Sequence, residues 1–156
     1  MMDPVWAVYF TLLAFAFGAC IGSFLNVCIY RIPRDESVVR PRSHCPACGH
    51  LIAWYDNLPL VSYFLLRARC RNCGGAIARR YVVVELLTAA LFLAVWNAYG
   101  WDGRTLVYML FIGGLILGTF VDLDYMIIPD RVSVGGMAAG LACSALVPAL
   151  HGRDAA

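Results

Sequence analysis

Two cysteine pairs form the densest chemistry in this sequence: Cys45-Pro-Ala-Cys48, then 21 intervening residues, then Cys70-Arg-Asn-Cys73. Two such knuckles can bring four sulfurs to one tetrahedral point, which is the ligand set of a closed structural zinc site. Two disulfides or a redox dithiol are the alternatives, and a reducing compartment disfavours stable disulfides. Four thiolates around Zn²⁺ leave a formal charge of −2, and Arg69, Arg71, Arg79 and Arg80 are close enough in sequence to offset it. With every position filled by sulfur, such a metal organises the chain and leaves no place for a reacting water. His44 and His50 flank the first knuckle and are expected at the surface. Cys20, Cys28 and Cys143 sit in apolar runs and read as small hydrophobic residues.

The second cluster is acidic. "TFVDLDYMIIPD", Thr119 to Asp130, places Asp122, Asp124 and Asp130 where a long uncharged run stops. Two carboxylates facing one water can share a proton, so that one stays protonated while the other activates the water. Asp122 and Asp124 do not make such a pair on one helix, because two residues turn the chain by about 200°. Pro129 cannot continue a helix and biases Ile128 towards extended backbone, so Asp130 is expected to open the next helix and complement its dipole. Glu85 follows "RRYVVV" and is expected to pair with Arg79 or Arg80. The local spacing leaves Asp122 as a candidate acid without a mate, and a structural role at a membrane edge stands beside a catalytic one.

The elements that must position these groups are membrane helices. The chain has 156 residues, 62% of them hydrophobic and 14% charged, with a mean hydropathy of +0.73, well above the roughly 45 to 50% apolar content of a soluble domain. About 20 apolar residues cover a hydrocarbon core of about 30 Å, and four runs qualify: Val5–Tyr30, Tyr81–Trp101, Thr105–Val121 and Val132–Gly152. The third is short and must borrow its ends. The first lacks a basic start and exceeds the core of a secretory signal, so it is read as a retained helix. Gly18 with Gly22, and Gly136 with Gly140, have the small-xxx-small spacing that lets a chain's own helices approach closely.

All twelve basic residues are arginine, and nine lie between Arg31 and Arg80 against only Asp35, Glu36 and Asp56, a local net charge of +6. Basic loops stay on the cytoplasmic side. The amino terminus is therefore expected outside, with the insert and the Asp122 segment inside. Beside a membrane this explains the arginines better than nucleic-acid binding, and no nucleic-acid partner is expected. Pro33, Pro41, Pro46 and Pro59 forbid long regular structure in the insert, which is too small for a core of its own and needs the cysteines as its staple.

Four stretches in this order resemble the type IV prepilin peptidases, membrane aspartic proteases that are often also N-methyltransferases. They are "GSFLNVCIYRIPR" (Gly22 to Arg34), the cysteine segment Cys45 to Cys73, "RYVVVELLTA" (Arg80 to Ala89) and "VDLDYMIIPD" (Val121 to Asp130). The resemblance implies an all-α polytopic membrane fold in the bacterial inner membrane, to which the apolar runs of this chain contribute about four transmembrane helices. A small zinc-ribbon-like cytoplasmic insert would lie between helices 1 and 2. It divides the chain into helix 1 (1–30), a four-cysteine insert (31–80) and the first part of the peptidase domain (81–156). It implies cleavage of the basic leader of pilins and pseudopilins, with methylation of the new amino terminus by S-adenosylmethionine in many members. Asp122 maps onto the first catalytic aspartate, and Cys45, Cys48, Cys70 and Cys73 onto the zinc set. The family's second aspartate lies in a GxGD motif. None occurs here, and after Asp130 the one remaining carboxylate is Asp154. The expectation is an amino-terminal fragment that does not cleave prepilin alone. The competing expectation is a zinc-stapled membrane adaptor whose arginines dock a partner or anionic lipid.

Overall fold

The computed structural model of the chain describes residues 3–127 and 130–147. Three helices dominate: α1 (Pro4–Arg31), α3 (Arg79–Tyr99) and α4 (Gly103–Tyr125), with the short α2 (Val61–Leu65) in the insert and α5 (Asp130–Leu146) after α4. The first three are long and apolar enough to cross a membrane. At about 1.5 Å per residue even α3 reaches about 31 Å, the thickness of the hydrocarbon core. The third span borrows its ends, gaining Gly103 at its start and Asp122 to Tyr125 at its finish. The fourth expected span corresponds to α5, whose 17 described residues are fewer than a crossing needs. The rest of that span, with Ile128, Pro129 and Asp154, lies outside the described residues.

Local chemistry sets the helix ends. Pro4 sits in the first turn of α1, where its missing N–H goes unused. The Asp102 carboxylate caps α4 by accepting from the Arg104 backbone N–H at 2.8 Å. Met126, at φ +54°, ends α4 and donates its N–H to the Asp122 carbonyl. The helix therefore stops before Pro129 is reached, on a left-handed residue that no glycine announced.

α1 lies along α3, and the contact is set by two glycines. A Cβ on Gly18 would come within 2.8 Å of the Ala89 Cα, and one on Gly22 within 2.7 Å of the Glu85 Cα. Leu25 and Ile29 of α1, Val84 of α3, and Ile116 and Val121 of α4 close the core behind them. Gly136 and Gly140 behave otherwise: a Cβ there meets nothing within 4 Å, so they do not pack α5 against the described helices. Gly22→Ala is expected to destabilise the protein in detergent by about 1 to 3 kcal/mol, because backbone must move to admit one methyl. Gly140→Ala should be neutral or slightly stabilising. Equal melting temperatures for the two variants would contradict this assignment.

At the end of the bundle away from the insert, Phe10, Trp96 and Trp101 pack ring against ring, with centroids 4.9 to 6.0 Å apart. Amphipathic rings favour the boundary between lipid and water. The opposite end carries the insert and most of the arginines.

Candidate metal centre and membrane-edge carboxylates

Each knuckle is a tight loop closed by an isolated antiparallel bridge, His44 with Leu51 and Arg69 with Ala76. The two repeat one hydrogen-bond pattern. Cys45 N–H donates to the His50 carbonyl at 2.9 Å and Cys70 N–H to the Gly75 carbonyl at 2.8 Å. Gly49 and Gly74 N–H return to the carbonyls of Cys45 and Cys70, and both glycines hold φ +70° to do so. This geometry turns Cys45, Cys48, Cys70 and Cys73 towards one point.

The four sulfurs lie within 4.8 Å of one another, and Cys45 and Cys73 are 3.9 Å apart. A tetrahedron with metal–sulfur bonds of about 2.3 Å has edges of about 3.8 Å, so the set fits a four-coordinate metal. All four cysteines are free thiols rather than disulfides. The His50 backbone N–H and the Asn72 amide hold the Cys48 thiol down at about 6, and the backbone N–H groups of Cys73 and Asn72 lower Cys70. At Cys73 the Gly75 N–H also favours the thiolate, but crowding by the Cys48 sulfur, burial and the other cysteines outweighs it and raises the thiol to about 11. A cluster that ionises only partly by itself is one that a cation completes. His44 and His50 are exposed and stand outside the sulfur set.

Between the knuckles, Arg71 grips both oxygens of Asp56 at 2.7 to 3.1 Å and holds that carboxyl below the usual range. The insert is tied to the bundle at two buried points. Arg31, 6% exposed, donates to the carbonyls of Ser37 and Pro41 at 2.8 Å each. Glu85 accepts from the Leu60 backbone N–H at 2.8 Å, while Leu60 is held at φ +61°.

That contact corrects the expected pairing of Glu85 with Arg79 or Arg80. Five or six residues along a helix leave these side chains about 120° to 140° from Glu85, whose face is turned to α1 and the insert. Arg80 instead reaches across to Asp124 on α4. Arg34, after α1, donates to the Tyr30 carbonyl and to the Tyr125 hydroxyl, with its guanidinium 3.8 Å from the centre of the Tyr30 ring. Two arginines thus bind the ends of α1, α3 and α4 together on the side of the insert.

Asp122 is exposed, and among the described residues its carboxylate has no partner. Asp124, two residues on, faces α3 and is neutralised. Asp130 is the first residue of α5. Asp124 is turned to Arg80 on α3, away from Asp122, so these two form no carboxylate pair. Sequence reasoning passed over Asn26, which is 1% exposed and donates from α1 to the Tyr81 carbonyl of α3 at 3.0 Å. A lone amide deep in an apolar run was the signal that marked it.

The family described as the bacterial peptidase A24 N-terminal domain matches residues 16–99, from the middle of α1 through the insert to the end of α3. The chain belongs to this family. Its A24 match extends to curated relatives along most of its length. The prepilin leader peptidase/N-methyltransferase of Myxococcus xanthus is 50% identical over 139 residues, covering 89% of this chain and 40% of the relative. The prepilin leader peptidase/N-methyltransferase of Aeromonas hydrophila is 41% identical over 160 residues, covering 86% of this chain and 54% of the relative. The type 4 prepilin-like proteins leader peptide-processing enzyme of Escherichia coli O78:H11 is 40% identical over 150 residues, with 83% and 55% covered. This A24 chain therefore spans about half the length of the curated relatives it matches. No solved structure matches it.

Proposed function

We propose that this chain forms the amino-terminal part of a prepilin leader peptidase that removes the basic leader of type IV pilins and type II secretion pseudopilins. Asp122 is one member of a two-aspartate pair that activates water at the cytoplasmic edge of the bacterial inner membrane. Asp124, tied to Arg80, is not the second member of that pair. The observation that carries this reading is the contrast at the end of α4: Asp124 is neutralised by Arg80, while Asp122 is exposed and has no partner among the described residues. A carboxylate left free at a membrane edge is available for proton transfer to a substrate or water.

The same reading takes Cys45, Cys48, Cys70 and Cys73 as ligands of a structural Zn²⁺ that shapes a cytoplasmic insert over residues 31–80. The reading has the insert inside and the amino terminus outside, which its arginines support, beside anionic headgroups. S-adenosylmethionine, when bound, supplies the methyl group for the new amino terminus. The test is direct: the full-length protein, in detergent with a prepilin, should yield a product lacking its leader. With S-adenosylmethionine added, that product should gain the mass of one methyl group. An intact leader after prolonged incubation would overturn the peptidase reading, and a cleaved but unmethylated product the methyl-transfer reading.

A further inference from the structure

The short helix α2 carries its side chains the wrong way round for water. Val61, Phe64 and Leu65, at the i, i+3 and i+4 positions of one face, are 52%, 69% and 77% exposed. The polar Ser62 is buried on the other face and donates its hydroxyl to the Tyr55 carbonyl at 3.0 Å. A helix beside water turns its apolar stripe inward; this one presents it to its surroundings. The position of α2 along the bundle gives those surroundings a depth. Arg79 and Arg80 open α3 and mark the level at which hydrocarbon ends. Leu60, which precedes α2, donates its N–H to Glu85, five residues beyond Arg80 and so about 8 Å further along the axis. Just before it, Trp54, Leu58 and Pro59 share a groove with Cys20 and Phe24 of α1. Cys20 lies eleven residues before the end of α1, about 16 Å along it. The segment thus runs back along the sides of the spans and does not stay above them.

Backbone at that depth must satisfy its polar groups without water. Besides Leu60, the N–H groups of Leu66, Arg67, Ala68 and Arg69 donate to carbonyls of the segment itself at 2.8 to 3.1 Å. Arg67 and Ala68 take φ +51° and +57°, which turns the chain directly after α2. Arg67 and Arg69 are exposed, and among the described residues neither is in an ion pair. An apolar face bordered by exposed guanidinium groups is complementary to an anionic bilayer, whose acyl chains receive the first and whose phosphates pair with the second. We propose that α2 dips into the membrane: Val61, Phe64 and Leu65 enter the acyl boundary of the leaflet, and Arg67 and Arg69 bind anionic headgroups beside them. The depth of Leu60 agrees with the roughly 5 to 10 Å to which interfacial helices bury their apolar face. The proposal rests on the membrane spans and not on the peptidase reading.

The test places a photoreactive benzophenone residue at Phe64 of the full-length protein, with Leu65 as a second position. Each variant is set in nanodiscs of equal parts phosphatidylglycerol and phosphatidylcholine, checked for helix content by circular dichroism, irradiated, and read by mass spectrometry. Lipid adducts should dominate at both positions, with phosphatidylglycerol captured at least about twice as often as phosphatidylcholine. Changing both arginines, Arg67→Gln with Arg69→Gln, should keep the lipid adducts but return them to the equal proportions of the disc. Crosslinks to the protein's own polypeptide would show that another part of the full-length chain covers α2, and would overturn the proposal. So would an absence of lipid adducts, equal capture of the two lipids with both arginines in place, or a preference that survives their replacement. Leader cleavage by the unmodified protein is read in its own assay, so failure here leaves the peptidase reading standing.

Discussion

Replacing Asp122 by Asn in the full-length protein is expected to lower leader cleavage by at least about 10³-fold while leaving bound metal and expression unchanged. The amide keeps the size of the side chain but cannot accept a proton from water, and loss of a positioned acid–base group removes about 10² to 10⁴ in rate. Loss of a member of an interdependent pair lies at the upper end or beyond. Asp124→Asn is the informative companion. It removes only the tie to Arg80 across α3 and α4, and a partly exposed ion pair contributes about 0 to 1 kcal/mol. Cleavage rates in a purified system decide between them: wild-type turnover by the Asp122 variant would remove this residue from the chemistry. A large loss confined to Asp124→Asn would transfer the role to its neighbour.

Cys70→Ser should abolish stoichiometric zinc and unfold the segment from Ser43 to Ile77, while α1, α3 and α4 remain helical. The hydroxyl is a poor ligand at neutral pH. Structural zinc bound by four protein ligands contributes about 10 to 16 kcal/mol of folding free energy in small domains, and the insert has little apolar core to replace it. Among the insert's residues 31–80, Arg31, Cys45 and Ser62 are the buried ones, while Trp54, Phe64 and Leu65 are 74%, 69% and 77% exposed. Metal analysis of purified protein and limited proteolysis of the insert read the two effects separately. A variant that keeps one equivalent of zinc and the wild-type digestion pattern would show that Cys70 is not a ligand. A strong chelator should reproduce the proteolytic sensitivity in the wild type.

The insert and the membrane helices were legible in the sequence for different reasons. Long uncharged runs report the solvent a segment prefers, a property each stretch carries by itself, so α1, α3 and α4 appear near the expected positions. The knuckles are also local: each CxxC turn and its glycine close on a partner within six residues, and the same pattern occurs twice. Bringing the two knuckles together needed only four like ligands, since two CxxC pairs match a tetrahedral sulfur set.

What the tertiary structure alone decided is which side chain meets which across helices. Glu85 was assigned to arginines beside it in sequence, yet it accepts from Leu60, 25 residues away. Asp124 is neutralised from 44 residues away and Tyr125 is met by an arginine 91 residues away, contacts that distinguish Asp122 from its neighbour. Gly18 with Gly22 and Gly136 with Gly140 share one spacing, but among the described residues only the first pair has a helix against it. Composition and short-range spacing therefore determined the solvent, the helices and the sulfur set. The contrast between Asp124 and Asp122, and the buried hydrogen bond from Asn26 to the Tyr81 carbonyl, depend on helix rotation and packing, which place residues from distant parts of the chain within hydrogen-bonding reach.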